Sequence, residues 1–316
     1  MRHVQRGRTA AVAALCLLLG ACASSPGREP ANLAIDDQGV FPESLSSTQA
    51  GAIYVGSIKG NVYRALPGQH LATAWIRPDA RNGLGAVFGV LADEASHMLW
   101  VCSIPNPFAP PVAGAVAALV SFDLDSGAFR ARYDFPAPRS VCNDMTVARD
   151  GSVYATDTSN GRILRLRKGA ASLEVYGEGD PLKGADGIAF DGAGRLYVNI
   201  VTRGALLRVE PGRDGRMAGL TELRLDATLG GPDGMRLIDG TRFLLAEGTA
   251  GRIDEVRIDG NHARITVLKS GLPSSPGVTR VGRTAYAVEG KIRYLTDPAL
   301  RGQDPGPFTV TAIPLP

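Results

Sequence analysis

The stretch Asp186-Gly-Ile-Ala-Phe-Asp191-Gly-Ala-Gly-Arg195-Leu-Tyr-Val-Asn-Ile200 reads as a strand, a tight turn and a second strand. The Asp-Gly pair between two apolar runs predicts a hairpin, because glycine accepts the positive φ that twisted hairpins need. The same sentence recurs along the chain. MTVA (145–148) is followed by Arg149-Asp-Gly, and another turn falls at Ile238-Asp-Gly. The second strands read AIYVGS, MLWVCS, SVYATD, RLYVNI, RFLLAE and TAYAVE, at 52–57, 98–103, 152–157, 195–200, 242–247 and 284–289. Third strands are expected at NVYRAL, ALVSFD, RILRLR, ALLRVE, RIDEVR and KIRYLT (291–296); their apolar and charged residues alternate, as on a strand with one wet side.

The first strands share a frame. Glu43-Ser-Leu, Asn143-Asp-Met, Asp186-Gly-Ile and Asp233-Gly-Met open with an oxygen-bearing side chain, whereas Phe88-Gly-Val and Pro276-Gly-Val open with carbon. Successive first positions lie 45, 55, 43, 47 and 43 residues apart. A period of about 40 to 50 residues with four short strands in each predicts a propeller blade. The expected fold is therefore an all-β, six-bladed propeller over residues 40–316, a single domain. Equivalent positions of successive blades converge on the central channel, so four oxygen ligands are expected to meet at one point.

Residues 1–21 read as a leader. Arg2, Arg6 and Arg8 form a basic start, and Ala10 to Leu19 form an apolar run too short for a comfortable transmembrane helix. Leu19-Gly-Ala-Cys22 then resembles a bacterial lipobox, which implies lipidation at Cys22 and a tether over 22–39; the alternative is an ordinary secretory signal with a chance cysteine. The expectation is a cell-envelope lipoprotein, periplasm-facing or on the outer membrane, touching the membrane only through its lipid. The chain carries 34 basic and 31 acidic residues, and the leader takes three arginines and no acid, so 31 of each remain. No basic stripe is left, which excludes nucleic acid as the expected partner. A monomer acting on a small molecule is expected.

Of the four cysteines, Cys102 and Cys142 fall within the repeats. Cys102 ends a second strand and Cys142 opens the next first strand, so both should lie on one face of neighbouring blades. An exported pair reads as a disulfide, the alternative being two buried thiols. The loop after each second strand overhangs the face that carries the four ligands. In the second blade it is long and apolar, Ser103 to Ala117, and is either a lid that includes Phe108 or a seal over the channel mouth.

Glu43, Asp186 and Asp233 would bring three carboxylates together beside the Asn143 amide. Like charges this close raise one another's pKa unless a cation intervenes. An all-oxygen donor set suits calcium first, with magnesium, manganese or zinc as substitutes. His70, His97 and His262 occupy no frame position and read as ordinary surface residues. Taken singly, Asp186 and Asp233 are also ordinary turn residues before glycine. Asp157, Asn199 and Glu247 end second strands on the ligand face; each either lines a substrate pocket or bonds its own loop.

With its ligand frames and its Pro232-Asp-Gly-Met235 string, the chain resembles the senescence-marker/gluconolactonase/luciferin-regenerating-enzyme family, to which regucalcin and bacterial lactonases belong. The resemblance spans the six expected blades. It implies metal ligands opening the first strands of blades one, three, four and five, the blades of Glu43, Asn143, Asp186 and Asp233. It implies Asp233 as general base and Asn143 as a group orienting the substrate carbonyl. Asp144 is a second candidate base, since Gly or Ser fills its place in the other blades. Several positions depart from the pattern: Asp186 stands where the family usually has Asn, Val141 where sugar-acid lactonases place arginine, and Thr156-Asp-Thr158 where they place glutamate. Phe88 stands where related paraoxonases place histidine. The implied activity is metal-dependent hydrolysis of a lactone or related ester. The competing expectation is a non-catalytic, metal-stabilised propeller that binds a small ligand or a protein.

Overall fold

The computed structural model describes Met1, His3 and residues 30–316. Apart from Met1 and His3, the expected leader lies outside the described residues, as does Cys22. Among the described residues no helix is long and apolar enough to cross a membrane.

The architecture is all-β and propeller-type, built of four-stranded antiparallel units. The first unit contains Pro42–Ser47, Ile53–Ser57, Val62–Ala65 and Leu71–Ile76. The second runs from Ala86–Asp93 through Met98–Ile104 and Ala118–Asp123 to Phe129–Asp134. The third comprises Cys142–Val147, Val153–Asp157, Arg162–Leu166 and Glu174–Glu178. Ala185–Phe190, Leu196–Ile200, Ala205–Pro211 and Met217–Glu222 form the fourth. Pro232–Asp239, Arg242–Glu247, Arg252–Asp259 and His262–Lys269 form the fifth, with Arg224–Leu225 added in parallel at its outer edge. Each second strand falls within one residue of the span expected from the apolar runs.

The sixth unit differs from the expectation twice. Residues 291–296 are not a third strand: Arg293–Thr296 form one helical turn, which tucks Ile292, Tyr294 and Leu295 against the core. The third strand is instead Thr309–Pro314, whose Val310 and Ile313 are buried and which pairs with Thr284–Val288. Its β-branched alternation suits a pleated surface better than KIRYLT does. The fourth strand comes from the other end of the chain. Leu33–Ile35, placed in the tether by the sequence reading, pair antiparallel with the Thr309–Pro314 strand and parallel with Leu71–Ile76. Leu33 and Ile35 are buried, so the ordered fold begins before residue 40.

The frame explains how neighbouring units dock. Its third residues, Leu45, Val90, Met145, Ile188, Met235 and Val278, are all at most 1% exposed. Burying such a side chain stabilises by about 1.5–3 kcal/mol. The second residue faces the next unit. Ser44 Oγ accepts from the Val90 N–H and Asp144 Oδ2 from the Ile188 N–H, at 3.2 and 3.4 Å. At Gly89 and Gly187 a Cβ would collide with the carbonyl oxygens of Asn143 and Asp233, so only glycine permits the approach. Gly234 N–H donates to Pro276 O at 2.9 Å, and Gly277 lies against Ser44. These contacts lead from unit to unit and return to the first.

A disulfide joins Cys102 to Cys142, with Cα atoms 5.1 Å apart. It ties the second strand of the second unit to the first strand of the third.

Candidate metal and active site

The pairing of first and second strands shifts register at the frame position in five units. The jumps fall between Pro42 and Ser44, Val87 and Gly89, Cys142 and Met145, Ala185 and Ile188, and Pro232 and Met235. A bulge leaves a residue out of the ladder and re-aims its side chain. Glu43, Phe88, Asn143, Asp186 and Asp233 all occupy these jumps.

Four of these side chains act on one another. The Asn143 amide donates to Asp186 Oδ2 at 2.9 Å. Asp186 and Asp233 are close enough for each carboxyl to influence the ionisation of the other. Burial pushes the Glu43 carboxyl well above the usual carboxylate range; Asp186 and Asp144 push it further, and Arg236 opposes them. Asp233 is raised in the same way, first by burial and then by Asp186 and Glu43. Asp186 is raised by burial and by Asp144. Its Oδ1 is buried without a hydrogen-bond partner. As the side chains stand, no three His, Cys, Asp or Glu groups among the described residues form a ready metal cage. The Asn143 amide ties Asp186 into the ring.

A cavity of about 400 Å³ opens over this ring, with Glu43, Asp233, Phe88 and Pro276 among its walls. Pro107 and Phe108 of the long second-unit loop also line it, and Asn106 Nδ2 anchors that loop to the Ile58 carbonyl at 3.1 Å. A larger cavity, about 690 Å³, opens at the opposite face among the first turns of the third and fourth units. Arg236 reaches its inner end.

Arg236 was missed by the sequence reading, and it changes the role of Asp144. Its guanidinium donates to Asp144 Oδ2 at 2.6 Å and Oδ1 at 3.0 Å. Both carboxylate oxygens are thereby committed to a bidentate ion pair, and Asp144 is a supporting group, not a free base. A signal was present: Asp144 is the lone acid at the second frame position, and Arg236 is the lone cation at the fourth.

Three expected pocket residues turn away from the cavity. Asp157, Asn199 and Glu247 are fully buried. Asp157 accepts from Val141 N–H, Ser140 Oγ and Arg162 Nη2 at 3.1, 3.0 and 2.5 Å. Glu247 accepts from Arg252 Nη2 and Nε at 2.5 and 2.8 Å and from the Gly230 N–H. In both cases an arginine five residues on saturates the carboxylate, since buried loop amides and a charged partner compete with any ligand. Asn199 bridges units: Nδ2 donates to the Asp233 carbonyl at 2.6 Å, and Oδ1 accepts from the Gly187 N–H at 3.2 Å. It positions Asp233 through its backbone.

No protein-family model and no curated protein sequence matches the chain. Solved structures do. The major allergen Mala s 1 of Malassezia sympodialis is 15% identical with a TM-score of 0.68, over 90% of this chain and 96% of that one. A luciferin-regenerating enzyme is 12% identical with a TM-score of 0.63, over 88% and 92%. A protein provisionally described as a gluconolactonase is 16% identical with a TM-score of 0.57, over 92% and 95%. At these identities the likeness is one of fold, and in fold the chain resembles the senescence-marker/gluconolactonase/luciferin-regenerating-enzyme propellers.

Proposed function

We propose that the chain is a six-bladed propeller that hydrolyses a lactone or related ester with the help of a divalent cation. The closed circuit of frame contacts from Ser44 round to Gly277 supports six blades. The observation that carries the hydrolase reading is the buried ring itself. Three carboxyls and an amide influence one another beside a cavity that Glu43 and Asp233 both line. The unpartnered Asp186 Oδ1 is a vacant acceptor in that ring, and every donor is oxygen, so the residues fit a hard cation, calcium first and magnesium, manganese or zinc otherwise. Glu43, Asn143, Asp186 and Asp233 would hold it. When bound, the cation supplies Lewis-acid polarisation of a carbonyl and a lower pKa for water.

Asp233 reaches the cavity and takes the proton of the attacking water. Asn143 orients the carbonyl. Asp144 is not the base, because Arg236 occupies both its oxygens; it holds the inner strand of the third blade in place. Cys22 lipidation would anchor a monomer to the envelope.

Calorimetry should show divalent binding that Asp233→Ala removes. On a lactone and ester panel with calcium, zinc or manganese, Asp233→Asn should lose nearly all turnover while unfolding at an unchanged or higher temperature. Cation binding without any metal-dependent turnover would favour the competing reading, a non-catalytic propeller. That reading draws on the absence of sugar-contacting side chains at Val141 and Thr156–Thr158.

A further inference from the structure

Resting on the hydrolase reading above, we infer that this cavity takes an apolar lactone or ester, one bearing an alkyl or aryl group, and not a polyhydroxylated sugar lactone. Above the ring the walls are Ile58, Phe88, Phe108, Val201, Pro276 and Ile292. They come from separate units and from the long second-unit loop, so the apolar character belongs to the whole cavity. The polar side chains besides Glu43 and Asp233 are few. Ser274 is buried and Thr249 lies exposed at the mouth. Arg293, at the rim, is paired with Asp297 at 2.8 Å. Arg236, below the ring, is paired with Asp144.

A sugar lactone presents a hydroxyl on nearly every ring carbon, and each must recover in the cavity the hydrogen bonds it leaves in water. These walls offer carbon instead. The two carbon-bearing frame positions, Phe88 and Pro276, sharpen the contrast: they flank Glu43 in the circuit of units, and Phe88 stands across that circuit from Asp233, so carbon faces acid over the floor. That division suits a carbonyl placed over the acids with a hydrocarbon group lying toward Phe88 and Phe108. Hydrolysis then consumes one water. Its oxygen bonds to the acyl carbon, the acyl C–O bond breaks, and the departing oxygen takes one of the water's protons, giving a hydroxy acid from a lactone or an acid and an alcohol from an ester; the acid then ionises.

The test compares δ-decalactone with glucono-δ-lactone, which share a ring size and differ in substituents, on the full chain with calcium. We expect kcat/KM at least about tenfold higher for δ-decalactone, climbing by up to about fourfold per methylene from δ-hexalactone. Phe108→Ser should flatten that climb. Calorimetry with 2-hexylcyclopentanone, which cannot be hydrolysed, should show binding that Phe108→Ser weakens about tenfold. If glucono-δ-lactone is hydrolysed as well or better, the inference is overturned and the hydrolase reading stands. If neither lactone turns over, the hydrolase reading fails. The ketone then judges the cavity alone: binding sensitive to Phe108 upholds its apolar preference, and no binding overturns it.

Discussion

Arg236 crosses from the fifth unit to grip Asp144 of the third, with Nη1–Oδ2 at 2.6 Å and Nη2–Oδ1 at 3.0 Å, while Nη2 also donates to the Val90 carbonyl of the second at 3.3 Å. One side chain thereby joins three inner strands. It lies between the cavity over the carboxyl ring and the one at the opposite face, and its charge is the one that opposes the rise in Glu43. The Arg236 and Asp144 side chains are only 12% and 5% exposed.

Breaking that pair should therefore cost far more than a surface ion pair would. Arg236→Met strands a buried carboxylate and should destabilise by about 3–5 kcal/mol in urea denaturation. Adding Asp144→Leu should recover most of the loss, because replacing both partners removes the unpaired charge. A single-variant cost below about 1 kcal/mol would show that the bridge does not hold the strands together.

Docking of the fourth and fifth units depends on Gly187. Gly187→Ala must displace the Asp233 carbonyl and should cost at least about 1–3 kcal/mol. Gly219→Ala, where a Cβ would meet nothing within 4 Å, should be neutral or slightly stabilising. Equal melting temperatures for the two variants would contradict the close approach.

The disulfide closes a separation of 40 residues, for which loop-closure entropy suggests about 4 kcal/mol. Cys102→Ser should lower stability by about 2–4 kcal/mol. Alkylation without reductant followed by peptide mapping should leave Cys102 and Cys142 unlabelled.

A second buried carboxyl pair makes stability depend on pH. Burial and the neighbouring Glu247 push Asp254 up to about 8, and neither of its oxygens finds a donor. A carboxyl raised on folding contributes stability that is complete below its unfolded pKa, about 4, and lost as pH rises toward 8. Asp254→Asn keeps the shape of the side chain without titrating. Between pH 5 and 8 in the presence of chelator, its melting temperature should fall less than that of the parent chain. Parallel curves would mean that Asp254 is ionised throughout.

The repeats were legible in the sequence because their signals are local. Alternating apolar residues, an Asp-Gly turn and a recurring frame set the strands at Leu196–Ile200 or Met98–Ile104 without reference to the rest of the chain. The same frame placed Glu43, Asn143, Asp186 and Asp233 at equivalent points. Tertiary structure decided the rest, since those outcomes depend on partners remote in the chain. Leu33–Ile35 become a strand only because Thr309–Pro314 and Leu71–Ile76 expose edges to pair with. Asp157 and Glu247 turn from ligand candidates into loop anchors because buried amides and arginines reach them first. Asp144 and Arg236 stand 92 residues apart, and no local pattern sets the direction of either side chain. Only closing the units around one axis faces them across the channel, where a buried charge without a partner would be too costly to keep.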